Sequence, residues 1–295
     1  MDAMNNSRKS KIIFELAVWV PKEKEGALDF VKQVFELCGI AENTIVQVTL
    51  KDCTGLVAFF ESRAEAGWVK SSVEKLKLKS ARCSVRKRIE KQWLEAWKKD
   101  WKPFHLTKDL DVVPVWTKKN YNKGKRDYIL LDTITSFGTG LHETTRFMAQ
   151  FINGLKGQFE SFFDIGTGTG ILSLVASKCA ARHVQAIDIS DTAVEVACQN
   201  MKVNGFTFEA IQAVDLKKLR AKQKFDYVAA NLVSHDLVEM KNNIFSFVKD
   251  RGRLAISGIS LEKLPFVLSA YQLLPLKVLK IKKGKKWAAV LYQKQ

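Results

Sequence analysis

Long hydrophobic runs are missing from this chain: nowhere in its 295 residues do apolar residues approach the roughly 20 in a row of a membrane-spanning helix. That argues against a helical membrane protein. The opening, Met1 to Ser10, is polar and lacks the apolar core of a secretory signal, so a soluble, cytoplasmic protein is expected. Cysteine is scarce, with only five residues at wide intervals: Cys38, Cys53, Cys83, Cys179 and Cys198. An odd number so spaced fits neither a disulfide framework nor a zinc cluster, and the mostly apolar surroundings predict buried thiols in a reducing compartment. Acidic residues are outnumbered, 31 against 48 Lys and Arg, for a formal net charge of +17. A field of that size attracts RNA, ribosomes or acidic protein surfaces, although dispersed lysines also serve solubility alone. Two basic runs, Lys118 to Arg126 and Lys277 to Lys286, are expected in exposed loops or turns.

What is present is a two-part pattern. With 46% hydrophobic residues the chain can fill two cores, given roughly 100 to 200 residues per domain. Over residues 1–85, Ile12 to Val20 alternates as a strand, and Ala27, Phe30, Val31, Val34 and Phe35 mark one helix face ended by Gly39. Thr44 to Leu50 and Leu56 to Phe60 suit strands, Arg63 to Leu78 a helix, and the surroundings of Cys83 a last strand. This βαββαβ order predicts a small α+β ferredoxin-like domain. Residues 86–115 are expected to connect it to the next domain. Trp93, Trp97 and Trp101, spaced i, i+4, stripe one face of a linker helix spanning Arg82 to Lys102, a stripe suited to packing on a neighbour or stacking on RNA bases. Pro103 and Pro114 would then break that helix.

From 116 to 295 the predicted class is α/β. Strand, glycine turn and helix repeat: Ser161 to Ile165, Ile171 to Cys179, Val184 to Ile189, Ala193 to Asn204. Strands near Ala210 to Val214, Tyr227 to Asn231 and Arg253 to Ser257 follow, with a helix at Leu237 to Val248 between the last two. The result is a doubly wound, mostly parallel sheet, closed by an antiparallel terminal hairpin of Leu276 to Ile281 and Trp287 to Tyr292.

Chemistry concentrates where the strands of this sheet end. Asp164-Ile-Gly166-Thr-Gly168-Thr-Gly170 places glycines at a strand-to-helix turn, where the backbone can approach a ligand and adopt positive φ. Nicotinamide and flavin cofactors use such turns too. The carboxylate before the turn would repel a pyrophosphate but can face a cationic amine. Asp188 ends the second strand, where an acidic side chain can accept from both ribose hydroxyls or cap the next helix, though Ser190 and Asp191 are better placed as caps. Asp215 is a weaker candidate for an adenine edge. Asn231, in Ala229-Ala-Asn-Leu232, ends the fourth strand with one donor and one acceptor group, or forms an Asx turn there.

One further segment, Phe137-Gly-Thr-Gly-Leu-His-Glu-Thr-Thr145, precedes the sheet. Together with the glycine turn and Ala-Asn-Leu, it makes the chain resemble the ribosomal protein L11 methyltransferases. The resemblance implies a Rossmann-like, S-adenosylmethionine-dependent methyltransferase domain. It implies cofactor contacts from Thr145, Gly166, Asp188 and Asn231, with Gly168 in the same turn and Phe137 to Gly140 folded over the cofactor. The implied partner is ribosomal protein L11, free or on the ribosome, with transient rRNA contact, and the enzyme a monomer. The chain departs from the family pattern at Thr133-Ile134, at Glu143 and at Val233-Ser234-His235. Methyl transfer from a sulfonium is an in-line displacement that needs alignment and desolvation, so neither a metal nor a catalytic base is assigned. An RNA methyltransferase and a non-catalytic ribosome binder are the competing classes. Asn231-Leu-Val-Ser lacks the Pro-Pro-aromatic clamp of many adenine methyltransferases, and the intact glycine turn with Asp188 and Asn231 disfavours a non-enzyme.

Overall fold

The computed structural model describes residues 12–38, 40, 45–50, 52–89, 101–122, 124–132 and 140–295. The chain divides into two compact units, Met1–Trp101 and Lys102–Gln295.

In the first unit the elements follow the order expected from hydropathy: β1 (Ile12–Pro21), α1 (Ala27–Leu37), β2 (Val46–Thr49), β3 (Cys53–Phe60), α2 (Arg63–Glu74) and β4 (Arg82–Ile89). Alternation on β1 turns Leu16, Val18 and Val20 into a core with Val31 and Phe35 of α1 and Ala66, Val69 and Val73 of α2. Ser62 starts α2 by accepting a hydrogen bond from the Glu65 N–H at 3.0 Å, the sequence signature of a capping box. The sheet order is β2-β3-β1-β4, with every neighbouring pair antiparallel.

Here the linker expectation needs correction. Arg82 to Ile89 is no part of a helix, because it pairs with β1 along its whole length, from Trp19↔Arg82 to Ile12↔Ile89. Cys83 and Val85 pack against the core, while the charged residues flanking them, Arg82 and Arg86 to Arg88, disguise a period-two pattern as a solvated stretch. Arg88 also forks onto Glu15 at 2.8 and 3.1 Å. Trp93 and Trp97 lie outside the described residues.

The second unit begins earlier than 116. Leu110–Pro114 (β6) pairs antiparallel with Phe104–His105 (β5) and parallel with Asp127–Leu131 (β7), making a three-stranded sheet that the sequence pattern did not suggest. Buried Asp111 holds it together, accepting from the Tyr121 hydroxyl and Arg126 Nε at 2.6 Å each and pairing with His105 at 2.7 Å. Burial opposes ionisation of this carboxyl, but those three partners outweigh it and keep its pKa below the usual range. Arg126, assigned to an exposed loop from its charge, is thus tied into a sheet.

The main sheet contains β8 (Ser161–Ile165), β9 (His183–Asp188), β10 (Ala210–Ala213), β11 (Phe225–Asn231), β12 (Val248–Ser260), β13 (Leu276–Lys283) and β14 (Trp287–Lys294). Their order is β10-β9-β8-β11-β12-β14-β13, parallel as far as β12, with β14 antiparallel to both neighbours. Helices α3 (Glu143–Asn153), α4 (Ile171–Lys178), α5 (Asp191–Val203) and α8 (Leu264–Tyr271) accompany it. The helix expected over Leu237 to Val248 is two short ones, α6 (Ser234–Glu239) and α7 (Lys241–Ser246), and Val248 already starts β12. The basic run that starts at Lys277 divides as the expected terminal hairpin divides it: Lys277 to Lys283 lie in β13 and Lys285 and Lys286 in the turn before β14, so only the end of the run is a loop. Strand β13 is the edge strand, where lysines discourage pairing with another chain. Of the five cysteines only Cys179 is buried; Cys38, Cys53 and Cys83 are half-buried, and Cys198 is exposed, against the expectation of five buried thiols.

Candidate functional site

The strand order reverses direction between β8 and β11. Chain continuity runs outward from β8 through β9 to β10 on one side, then returns to β11 on the other. At such a switch point the connecting segments leave in opposite directions and open a crevice beyond the carboxyl ends of the strands. Gly166, Gly168, Asp188 and Asn231 all stand there.

Gly166, Gly168 and Gly170 take positive φ of 73°, 54° and 77°. At Gly166 a Cβ would also come within 2.6 Å of Leu232 Cδ2, so a side chain there would have to displace Leu232. The turn is braced from β9: Ile187 O accepts from the N–H groups of Gly166 and Thr167 at 2.9 and 3.0 Å, and Asp188 Oδ2 accepts from Gly168 N–H at 2.8 Å. Asp188 Oδ1 accepts from the Ser190 N–H at 3.1 Å, and Ser190 itself caps α5 through the Ala193 N–H. A capping role for Asp188 is therefore unnecessary. Asp215, by contrast, does cap, accepting from Lys217 N–H at 2.9 Å at the head of the short 3-10 helix Leu216–Lys218. Asn231 lies one residue beyond Ala230, the register partner of Ile165, and the Leu232 N–H continues the pairing to Ser257 O at 3.1 Å.

Asp164, at the end of β8, is fully buried. Its Oδ2 accepts from the hydroxyls of Ser173 (2.7 Å) and Thr167 (2.9 Å), while Oδ1 has no hydrogen-bond partner among the described residues. Burial pushes the carboxyl up to about 6; the two hydroxyls act against that shift and the nearby Asp188 charge adds to it. A buried carboxylate oxygen without a donor is costly unless a ligand supplies one. Left-handed glycines, an unpartnered carboxylate oxygen and a second acidic strand end together suit the ammonium and ribose of S-adenosylmethionine, and suit a pyrophosphate poorly.

Two further groups frame the turn, and neither stood out in the sequence. Asn200 of α5, fully buried, donates to Thr169 O (2.9 Å) and Asp132 O (2.8 Å) and accepts from Asp132 N–H (2.8 Å). Asn204, one turn on, brackets Leu130 in the same way at 2.7 Å on both sides. They fasten the end of β7 to the glycine turn. An i, i+4 pair of asparagines, one in the last turn of α5 and one at its C-cap, is the sequence signal for them, since Asn within a helix needs partners to offset its poor helix propensity.

Thr145 is buried in the first turn of α3, which packs against α4, β11, β12 and β14. Gly140 (φ 80°) precedes it in close contact with Ile171, the first residue after the glycine turn: a Cβ would stand 2.6 Å from Ile171 Cδ1. The His142-Glu-Thr-Thr145 segment is thus placed beside the turn. Phe137, Gly138 and Thr139, like Thr133 and Ile134, lie outside the described residues. His235 is largely exposed on α6, 3.9 Å from Glu239, and sits as a surface residue. No cluster of His, Cys, Asp or Glu among the described residues could hold a metal ion, and no described helix is long and apolar enough to cross a membrane.

Comparison with known proteins agrees with this geometry. The family described as Ribosomal protein L11 methyltransferase (PrmA) matches residues 25–295. A Caldicellulosiruptor bescii protein named ribosomal protein L11 methyltransferase is 29% identical over 304 residues, covering 95% of this chain and 98% of its own. One of the same name from Streptococcus pyogenes serotype M4 is 37% identical over 182 residues, 61% of this chain; the chain spans 57% of that relative's length. The crystal structure of a ribosomal protein L11 methylase from Lactobacillus delbrueckii subsp. bulgaricus superposes with a TM-score of 0.59 at 27% identity, over 66% of this chain and 100% of the other. The sheet is accordingly that of a Rossmann-like methyltransferase, and the chain belongs to the ribosomal protein L11 methyltransferase family.

Proposed function

We propose that the protein is an S-adenosylmethionine-dependent N-methyltransferase that methylates lysine side chains and the α-amine of ribosomal protein L11. The observation that carries the cofactor reading is Asp164, a buried carboxylate with one oxygen unpartnered, beside a turn of three left-handed glycines. In this reading Asp164 Oδ1 receives the cofactor ammonium, Asp188 the ribose hydroxyls, and Gly166 and Gly168 let the backbone close on it. Asn231 and Thr145 complete the contact set. The bound cofactor supplies a methyl group on a sulfonium, already activated for displacement.

The chain's own work is then alignment and the exclusion of water. A lysine acceptor, with an ordinary pKa of about 10.4, must be neutral to attack, and an apolar entrance favours the neutral amine without a dedicated base. The Met1–Trp101 unit is proposed as the recogniser of the protein substrate. The positive charge favours capture on or near the ribosome, with transient rRNA contact, and the enzyme is taken to act as a cytoplasmic monomer.

The test is label transfer. Purified protein with radiolabelled S-adenosylmethionine and ribosomes should place the label in L11; label in the RNA fraction would overturn the substrate assignment.

Asp164 adds a pH signature. Its carboxyl titrates higher in the folded chain, about 6, than its ordinary value of 3.8. The fold therefore binds that proton more tightly than the unfolded chain, and this stabilising contribution fades as pH rises from about 4 through about 6. A cofactor ammonium at Oδ1 offsets the loss. Cofactor should thus raise Tm more at pH 8 than at pH 5, and Asp164→Asn should remove the difference. An equal shift at both pH values in the wild type would separate the ammonium from Asp164.

A further inference from the structure

We infer that Glu143 is a positioning residue that makes the turn of the terminal hairpin part of the frame of the cofactor site; this rests on the reading that Thr145 meets the cofactor. Glu143 opens α3, two residues before Thr145. Its carboxylate reaches across to the turn between β13 and β14, where Oε1 accepts from Lys285 N–H at 3.1 Å and Oε2 from Lys286 N–H at 3.4 Å. Those donors, Lys285 first, hold its pKa below the usual carboxylate range. The contact is a carboxylate captured by successive backbone N–H groups, a charge-assisted arrangement with a defined direction.

Two neighbouring contacts cross the same junction. His142, the N-cap of α3, lies edge-on to Trp287 with ring centroids 5.0 Å apart, and its Nδ1 sits 2.8 Å from the Thr144 hydroxyl. Farther along α3, Gln150 Oε1 accepts from the Lys282 ammonium of β13. At the turn itself Gly284 leaves room for the carboxylate: a Cβ there would stand 2.6 to 2.8 Å from the Glu143 carboxylate atoms. Thr144 and Thr145 are each only 2% exposed, so a displaced helix start carries them with it. An acidic side chain also suits a turn flanked in sequence by Lys282, Lys283, Lys285 and Lys286, since each positive charge nearby favours the carboxylate.

Two variants separate positioning from plain structural support. Glu143→Ala removes the carboxylate. Gly284→Ala leaves it in place but pushes it off the turn, and because the atoms in the way are the end of a flexible side chain, this variant should fold. Each should weaken S-adenosylmethionine binding, measured by calorimetry, by about three- to tenfold, while kcat at saturating cofactor stays within about twofold. Glu143→Gln, which keeps one acceptor oxygen, should recover most of the affinity. The double variant should lose no more than either single one, as expected of two changes that break one contact. Wild-type affinity in folded Glu143→Ala or Gly284→Ala, or losses that add in the double variant, would overturn the inference. Asp188→Ala run alongside distinguishes the causes of failure. If it loses affinity while the Glu143 and Gly284 variants keep theirs, the positioning role alone is wrong. If it also binds like the wild type, the cofactor site itself is misplaced.

Discussion

A chain lacking Met1–Trp101 is expected to bind S-adenosylmethionine with nearly unchanged affinity and to transfer no measurable label to L11. Every residue proposed to touch the cofactor belongs to the Lys102–Gln295 unit, which has its own seven-stranded sheet and a core that includes Phe163, Ile165, Val228, Leu254, Ile256 and Val290. The removed unit has a separate core, built by Leu16, Val18, Phe35, Leu56 and Val69. Two cores of this kind can fold apart, and each then fails or survives by its own packing. Calorimetry on residues 102–295 tests the first half of the expectation and label transfer the second. Undiminished methylation of L11 by the shortened chain would show that the catalytic unit recognises its protein substrate unaided. Lost cofactor binding in a folded fragment would show that the cofactor site draws on the missing residues.

Much of this layout could be read before any coordinates because it rests on local chemistry. A parallel strand covered on both faces is apolar along its length, so Ser161–Ile165 and Phe225–Asn231 announce themselves, and a glycine turn between strand and helix marks the switch point. Asp188 and Asn231 were legible for the same reason, as polar residues at the ends of apolar runs. What escaped was set by partners far away in sequence. The alternation of Arg82–Ile89 is masked in the sequence by Arg82, Arg86, Lys87 and Arg88, and only pairing with β1 makes it a strand. Phe104–His105 and Leu110–Pro114 are too short to show a period; their sheet exists because Asp111 gathers His105, Tyr121 and Arg126. Glu143 reads in the sequence only as a departure from a family pattern. Its partners are backbone N–H groups some 140 positions away, which no local pattern could indicate.

Asp188→Ala is the substitution from which the largest loss of cofactor affinity is expected. Each carboxylate oxygen already accepts one backbone N–H, Gly168 at Oδ2 and Ser190 at Oδ1, and each retains a lone pair for a ribose hydroxyl. Truncation removes the ribose acceptors and also leaves the turn's Gly168 N–H unpaired, so binding and the shape of the turn suffer together. Charge-assisted hydrogen bonds are worth about 1.5 to 3 kcal/mol, which corresponds to a loss of about 10- to 150-fold in affinity. The fold should persist, because the side chain lies half-buried at a strand end and fills no core volume. Asp188→Asn separates the two contributions. Its one remaining oxygen can serve only one of the two N–H donors, and its amide faces the other donor with a donor, so an intermediate loss is expected rather than recovery. A second readout follows from charge: the Asp188 carboxylate helps to raise the pKa of Asp164, so in Asp188→Ala the pH at which cofactor stabilisation sets in should move downward. Wild-type affinity in a folded Asp188→Ala protein would place the ribose elsewhere on the sheet, and an unmoved pH midpoint would mean that the two carboxylates do not share one site.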